Sequence, residues 1–176
     1  MAGQASSSSQ ESQKEESLNR LSIYDFLWQV NAYLNKYIQF ADAKAGAVVT
    51  FFAVVLGLYT GLWPEESKNC CFWLGVVLSL LPIIAALVVI TPRLTKGSDQ
   101  GVIFWGHIVG FEDLDQYANA VKSADFIKEI TQQNYFLAKI AQLKYRWLKR
   151  AMHATWLALF FLLFSLSGLF EKLLVP

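Results

Sequence analysis

Three long stretches without Asp, Glu, Lys or Arg limit what this chain can become. They run from Ala45 to Trp63, from Asn69 to Thr91 and from Ala151 to Phe170. The hydrocarbon core of a bilayer is about 30 Å thick and takes roughly 20 helical residues to cross, and each stretch reaches that length. A helix at the surface of a soluble core keeps one polar face for water, and none of the three stretches has one. Charged residues make up only 16% of the chain and hydrophobic residues 55%. The sequence therefore predicts an all-α integral membrane protein with three transmembrane helices. Tryptophans stand near the ends of the stretches, Trp63 and Trp73 at one side and Trp147 and Trp156 at the other, where amphipathic indoles favour the interface.

The rest of the chain divides around these blocks. Residues 1–18 are rich in Ser, Gln, Glu and Lys and have almost no large apolar side chain, so a disordered tail is expected. This segment has no apolar core of the kind a signal peptide needs. Residues 19–44 repeat apolar positions at helical spacing, through Leu21, Tyr24, Leu27, Trp28, Leu34 and Ile38, with Asn31 in the same stripe. No Gly or Pro separates them from the first block, so one helix is expected from about Ser22 to Trp63, roughly 60 Å long. Residues 45–91 form a transmembrane hairpin closed by the short loop Pro64–Lys68. Pro82 should kink its second helix, or divide it into two half-helices lining a pore.

Residues 92–150 form a second cytoplasmic segment. It holds a short helix over Glu112–Lys122 and a long helix from about Ser123 that runs without a breaker into the third span, 151–170. The inner ends of the two long helices should pack as a coiled stalk. Residues 171–176 are a short outer tail.

Lys and Arg set the orientation. The hairpin loop holds Lys68 and the C-terminal tail holds Lys172, whereas the stretch from Arg93 to Arg150 carries most of the 15 in the chain. The bias places the N-terminus and the middle segment in the cytoplasm and the C-terminus outside. In a bacterium this is the inner membrane with a periplasmic C-terminus. The only cysteines, Cys70 and Cys71, are adjacent and cannot make a disulfide framework, so two free, buried thiols are expected, with an intersubunit disulfide as the alternative.

Polar groups at the bilayer lip are the candidate site residues. Gln39, Asp42, Ala43 and Gly46 share a face at helical spacing, and Lys44 stands immediately before the apolar block. Lys44 can snorkel to headgroups. An aspartate there needs a protein partner, such as Lys144 or Arg146 on the other long helix. Two readings of Asp42 follow, an ion pair that holds helices together and part of a ligand pocket or gate. The run from Lys144 to Arg150 likewise reads as an anchor for anionic lipid or as cations for an anionic ligand, with Lys144, Arg146 and Arg150 as its candidates. Trp105 and His107 lie in an apolar stretch bounded by glycines, where a lone histidine reads as a packed residue or a ligand contact. There is no phosphate-binding loop, no Ser/His/Asp set and no metal-ligand spacing, so no catalytic residue, no metal and no enzyme activity are expected.

Three strings carry a further signal. Tyr37-Ile38-Gln39-Phe40-Ala41-Asp42-Ala43-Lys44-Ala45-Gly46 precedes the hairpin. Ile103-Phe104-Trp105-Gly106-His107-Ile108 is followed by an acidic stretch with Tyr117. Gln133-Asn134-Tyr135-Phe136-Leu137-Ala138-Lys139-Ile140 leads to Lys144-Tyr145-Arg146-Trp147-Leu148-Lys149-Arg150-Ala151 and the last span. Together they resemble the bacterial Pycsar transmembrane effector family, from about residue 22 to residue 170. The resemblance implies an antiphage role with a companion pyrimidine nucleotide cyclase. Its product, cyclic UMP or cyclic CMP, is the activating ligand, and the effector impairs the inner membrane so that the infected cell stops growing or dies. Some members carry a separate cyclic-nucleotide-binding domain. This chain has no glycine-rich phosphate cassette with an arginine, so its cytoplasmic helices would take the nucleotide.

The reading that follows is a nucleotide-gated membrane effector whose partners are the bilayer, the cyclic nucleotide and other copies of itself, with no nucleic acid. Three spans cannot enclose a large pore, and Gly57, Gly61 and Gly75 permit close helix contacts within an oligomer. The alternatives are a holin-like lesion protein without nucleotide control and a membrane-anchored scaffold.

Overall fold

The computed structural model of the chain describes residues 2–63, 70–92 and 101–174, with side chains placed for 13–61, 63, 70, 72–92, 101–104 and 106–166. Five helices appear in it: α1 (Ala2–Leu62), α2 (Cys70–Ile90), α3 (Trp105–Ile108), α4 (Leu114–Ser123) and α5 (Phe126–Leu174). The all-helical expectation holds, and no strand occurs among the described residues.

The helix boundaries follow local chemistry. Asp113 caps α4 by accepting from the backbone N–H of Gln116 at 2.7 Å, and Gln116 Oε1 reaches back to accept from the N–H of Glu112 at 2.8 Å. This reciprocal arrangement satisfies two donors at the helix start. Asp125 does the same for α5, accepting from the N–H groups of Ile127 and Lys128. It therefore starts α5 at Phe126 rather than at Ser123.

The first helix differs more from expectation. It begins at Ala2 rather than near Ser22, and so includes the segment whose composition suggested disorder. The composition argument weighs only burial, and side chains 13–22 are indeed exposed. Extending a helix that already exists avoids the nucleation cost, and Gln, Glu and Lys lose little rotamer freedom in doing so.

Pro82 is fully buried inside α2, which is one helix and not two halves. Cys70 is a free thiol at the start of α2 and is exposed, contrary to the buried pair expected. The side chain of Cys71 lies outside the described residues, as do the hairpin loop Pro64–Lys68 and most of the turn before Gly101.

The chain forms two compact units. One comprises Met1–Lys36 and Leu94–Lys139, the other Tyr37–Arg93 and Ile140–Pro176. In the first, α1 and α5 pack through a chain of amides centred on the buried Asn31 and Asn134. Asn35 Nδ2 donates to Asn31 Oδ1 at 2.9 Å, Asn31 Nδ2 donates to Asn134 Oδ1 at 2.9 Å, and Asn134 Nδ2 donates to the Leu27 carbonyl at 2.9 Å. Ile130 and Val102 are the buried apolar residues of this unit among the described residues.

The second unit is a three-helix assembly. Two contacts between α1 and α5, Asp42 with Lys144 and Tyr59 with Ser165, fix these helices as parallel and in register. Contacts of Lys144 with Val89 and of Tyr59 with Phe72 make α2 antiparallel to both. One core cluster is built from small residues, Ala41, Ala45, Ala86 and Ala151 with Val89 and Leu148, which lets the backbones approach closely. The other is aromatic: Tyr59 stacks on Phe72 with centroids 5.0 Å apart, and Trp63 closes over both. Trp63 thus packs inward, while Trp73 and Trp156 stay exposed.

Among the described residues, α1 and α2 are the two helices long and apolar enough to cross a membrane. Only 17% of the apolar window in α1 and 33% of that in α2 is buried within the protein. Phe51, Val54, Leu58, Val77 and Ile84 face outward, as a lipid environment permits and water does not.

Candidate functional site

The charged candidates in the second unit meet at Lys144. Its ammonium pairs with Asp42 Oδ1 and donates to the Val89 carbonyl at 2.8 Å. Val89 lies in the last turn of α2, where carbonyls have no helical donor and a cation is favoured by the helix dipole. One ammonium therefore ties α1, α2 and α5 together. The Lys144 side chain is 5% exposed and that of Asp42 36%, so the cation is the buried partner. Ala41, Ala45 and Ala86 make room for it, because larger residues there would separate the helices.

The other candidates from the same strings are not gathered there. Gln39 is exposed and does not join the Asp42 pair. Arg146 is exposed, and Arg150 lies over the Trp147 ring, 4.5 Å from its centroid, as a cation–π pair. Lys44 lines an open groove between α1 and α5 with Lys149.

In the first unit, His107 stands on α3, a single turn opened by Phe104. His107 Nδ1 accepts from the Gly101 N–H at 2.9 Å, so the neutral ring carries its proton on Nε2. Nε2 is buried and has no hydrogen-bond partner. The ring stands edge-on to Phe104 at 5.2 Å. Glu129 on α5 holds the same strand of chain by accepting from the Val102 N–H at 3.2 Å, and the Tyr117 hydroxyl donates to the Val102 carbonyl at 3.2 Å. Gly101 is closely approached: a Cβ there would fall 2.5 Å from Glu129 Oε2 and 3.2 Å from His107 Nδ1, so a larger residue would displace the Glu129 carboxylate. The side chain of Trp105 lies outside the described residues.

Sequence alone does not mark Glu129, Gly101 or the Asn31–Asn134 pair as site residues. The two asparagines do leave a signal, a polar residue inside each apolar stripe. Glu129 leaves none, because its partner is a backbone N–H.

Comparison with known proteins bears on this framework. Residues 26–170 match the Pycsar effector protein domain, PycTM. The Pycsar effector protein SaPycTM of Staphylococcus aureus is 31% identical over 139 residues, which cover 76% of this chain and 88% of that protein. No solved structure matches the chain. The matched region takes in both charged partners, Asp42 and Lys144, the hairpin and the His107 segment, and with that coverage the chain belongs to the Pycsar effector (PycTM) family.

Proposed function

We propose that this chain is a membrane effector that senses cyclic UMP or cyclic CMP from a partner cyclase and then impairs the bacterial inner membrane. Membership of the Pycsar effector family supports the antiphage role. The observation that carries the sensing mechanism is the continuity of α1 and α5, each of which supplies residues to both compact units without a break. A ligand that favours one arrangement of these helices over another biases the membrane-embedded part directly.

In this reading α5 is the third span. Its parallel register with α1 supports that, because Ser165 stands level with Tyr59 and Lys144 level with Asp42. The N-terminus and the segment 92–150 face the cytoplasm, following the distribution of Lys and Arg. Several copies assemble through α1. A Cβ added at Gly57 or at Gly61, four residues on, would meet no heavy atom within 4 Å, which leaves that face open to a second helix.

The nucleotide meets the first unit at His107. Its Nε2–H is a fixed donor without an acceptor, and a uracil or cytosine carbonyl or a phosphate oxygen supplies one. Equilibrium dialysis of the purified chain against labelled cyclic UMP and cyclic CMP tests this. One of the two should bind, and His107→Phe should weaken it about ten-fold, the scale of one hydrogen bond to a buried donor. His107→Gln keeps an N–H donor and should lose less. Unchanged affinity in His107→Phe removes His107 from the site, and no binding of either nucleotide removes the sensing reading.

A further inference from the structure

A groove of about 650 Å³ runs between α1 and α5 in the second unit. Its walls are Val48 and Phe51 from α1 and Leu148 and Met152 from α5, with Lys44 and Lys149 also lining it. The parallel register decides where the charges lie. Asp42 stands level with Lys144 and Tyr59 with Ser165, so Lys44 and Tyr145 stand at the end of the groove nearer the Asp42–Lys144 pair, and Lys149 follows one turn beyond Tyr145. Phe51, Met152 and Thr155 belong to the opposite end. The groove is therefore amphipathic along its length, with both cations in the half nearer the junction and no charged side chain lining the half beyond Lys149. Both lysines are exposed, and neither has a carboxylate partner among the described residues.

We infer that this groove is a binding site for one anionic phospholipid, its phosphate held by Lys44 and Lys149 and one acyl chain lying along Val48, Phe51, Leu148 and Met152. The charge pattern selects this occupant. A zwitterionic lipid gains little from two unpaired ammonium groups, and a free anion leaves the apolar trough unfilled. A second copy of the chain would need a carboxylate pair set at the end of an apolar helix. The carboxylate pair next to the apolar stretch of α1, Glu65-Glu66, follows in sequence the end of that stretch remote from Lys44, and Asp42 is already bound to Lys144. A lipid seated there bridges α1 and α5 immediately beside the Lys144 junction, so membrane composition bears on the helix arrangement that a nucleotide must shift. The inference rests on the reading that α1 and α5 both cross the bilayer.

Native mass spectrometry of the full chain released from detergent tests it, with phosphatidylglycerol and phosphatidylcholine of identical acyl chains as probes. Wild type should retain phosphatidylglycerol over phosphatidylcholine by roughly ten-fold or more, the scale that two basic residues contribute beside anionic lipid. Lys44→Gln with Lys149→Gln should bring the two lipids to near parity. Ala47→Trp, which fills the trough from an exposed position on α1, should reduce both adducts, and inorganic phosphate should not compete. Lys128→Gln, an exposed residue of the other unit, should leave the preference intact. No preference in wild type, an unchanged preference in the lysine variant, or a lipid-free oligomer whose groove is covered by a second copy would each overturn the site. Extraction of the chain from membranes by alkaline carbonate would instead overturn the spanning reading on which it rests.

Discussion

Lys144 and Asp42 share one ion pair but not one environment. The ammonium is buried and also serves the Val89 carbonyl, whereas the carboxylate is partly open to water. Losing either partner therefore has unequal consequences. Lys144→Met fills a similar volume and leaves an aspartate that water can reach, at a cost of about 1–2 kcal/mol. Asp42→Ala strands a buried ammonium with one carbonyl and should cost about 3 kcal/mol or more. The double variant should be less damaging than the sum of the two, since the stranded charge is gone. Unfolding by detergent titration, followed by helix content, measures all three, and a larger loss in Lys144→Met than in Asp42→Ala would contradict this assignment. The pairing is legible in the sequence, because an aspartate at the bilayer lip needs a cation at matching depth. The role of the Val89 carbonyl is not, because a backbone acceptor leaves no mark on residue identity.

The first part of α1 and the first part of α5 are joined by amides rather than charges. Each group in the chain Asn35, Asn31, Asn134 and the Leu27 carbonyl finds a partner, so the network rigidifies the packing and fixes its register. Asn31→Leu alone leaves Asn134 Oδ1 without its donor and should lower stability by about 1–3 kcal/mol. Asn31→Leu with Asn134→Leu removes both polar groups and should recover most of that loss, while weakening the choice of register. Thermal unfolding of the three chains in detergent checks the order, and a double variant less stable than the single would count against a register role. The helical stripes themselves are readable from spacing, and the unbroken passage of both helices into apolar sequence is readable from the lack of Gly and Pro. Partners 103 residues apart are not, since nothing local pairs Asn31 with Asn134. The start of α1 escapes the sequence for a related reason. Composition reports what a segment can bury, not whether it adjoins a helix ready to be extended.

Taken together, the second unit is three helices held by an ion-pair junction at one end and an aromatic cluster at the other, with outward faces suited to lipid. The first unit contains a buried ring nitrogen, His107 Nε2, without a hydrogen-bond partner. Two continuous helices belong to both. An effector built this way should stay quiet in the membrane until its nucleotide is present. Membrane potential in bacteria expressing the chain, followed by a voltage-sensitive dye while cyclic UMP or cyclic CMP is raised separately, reads that behaviour. Depolarisation under one pyrimidine nucleotide and none in its absence is the expected result. An unchanged potential under both nucleotides would contradict an effector role, and depolarisation without either would mark a lesion protein free of nucleotide control.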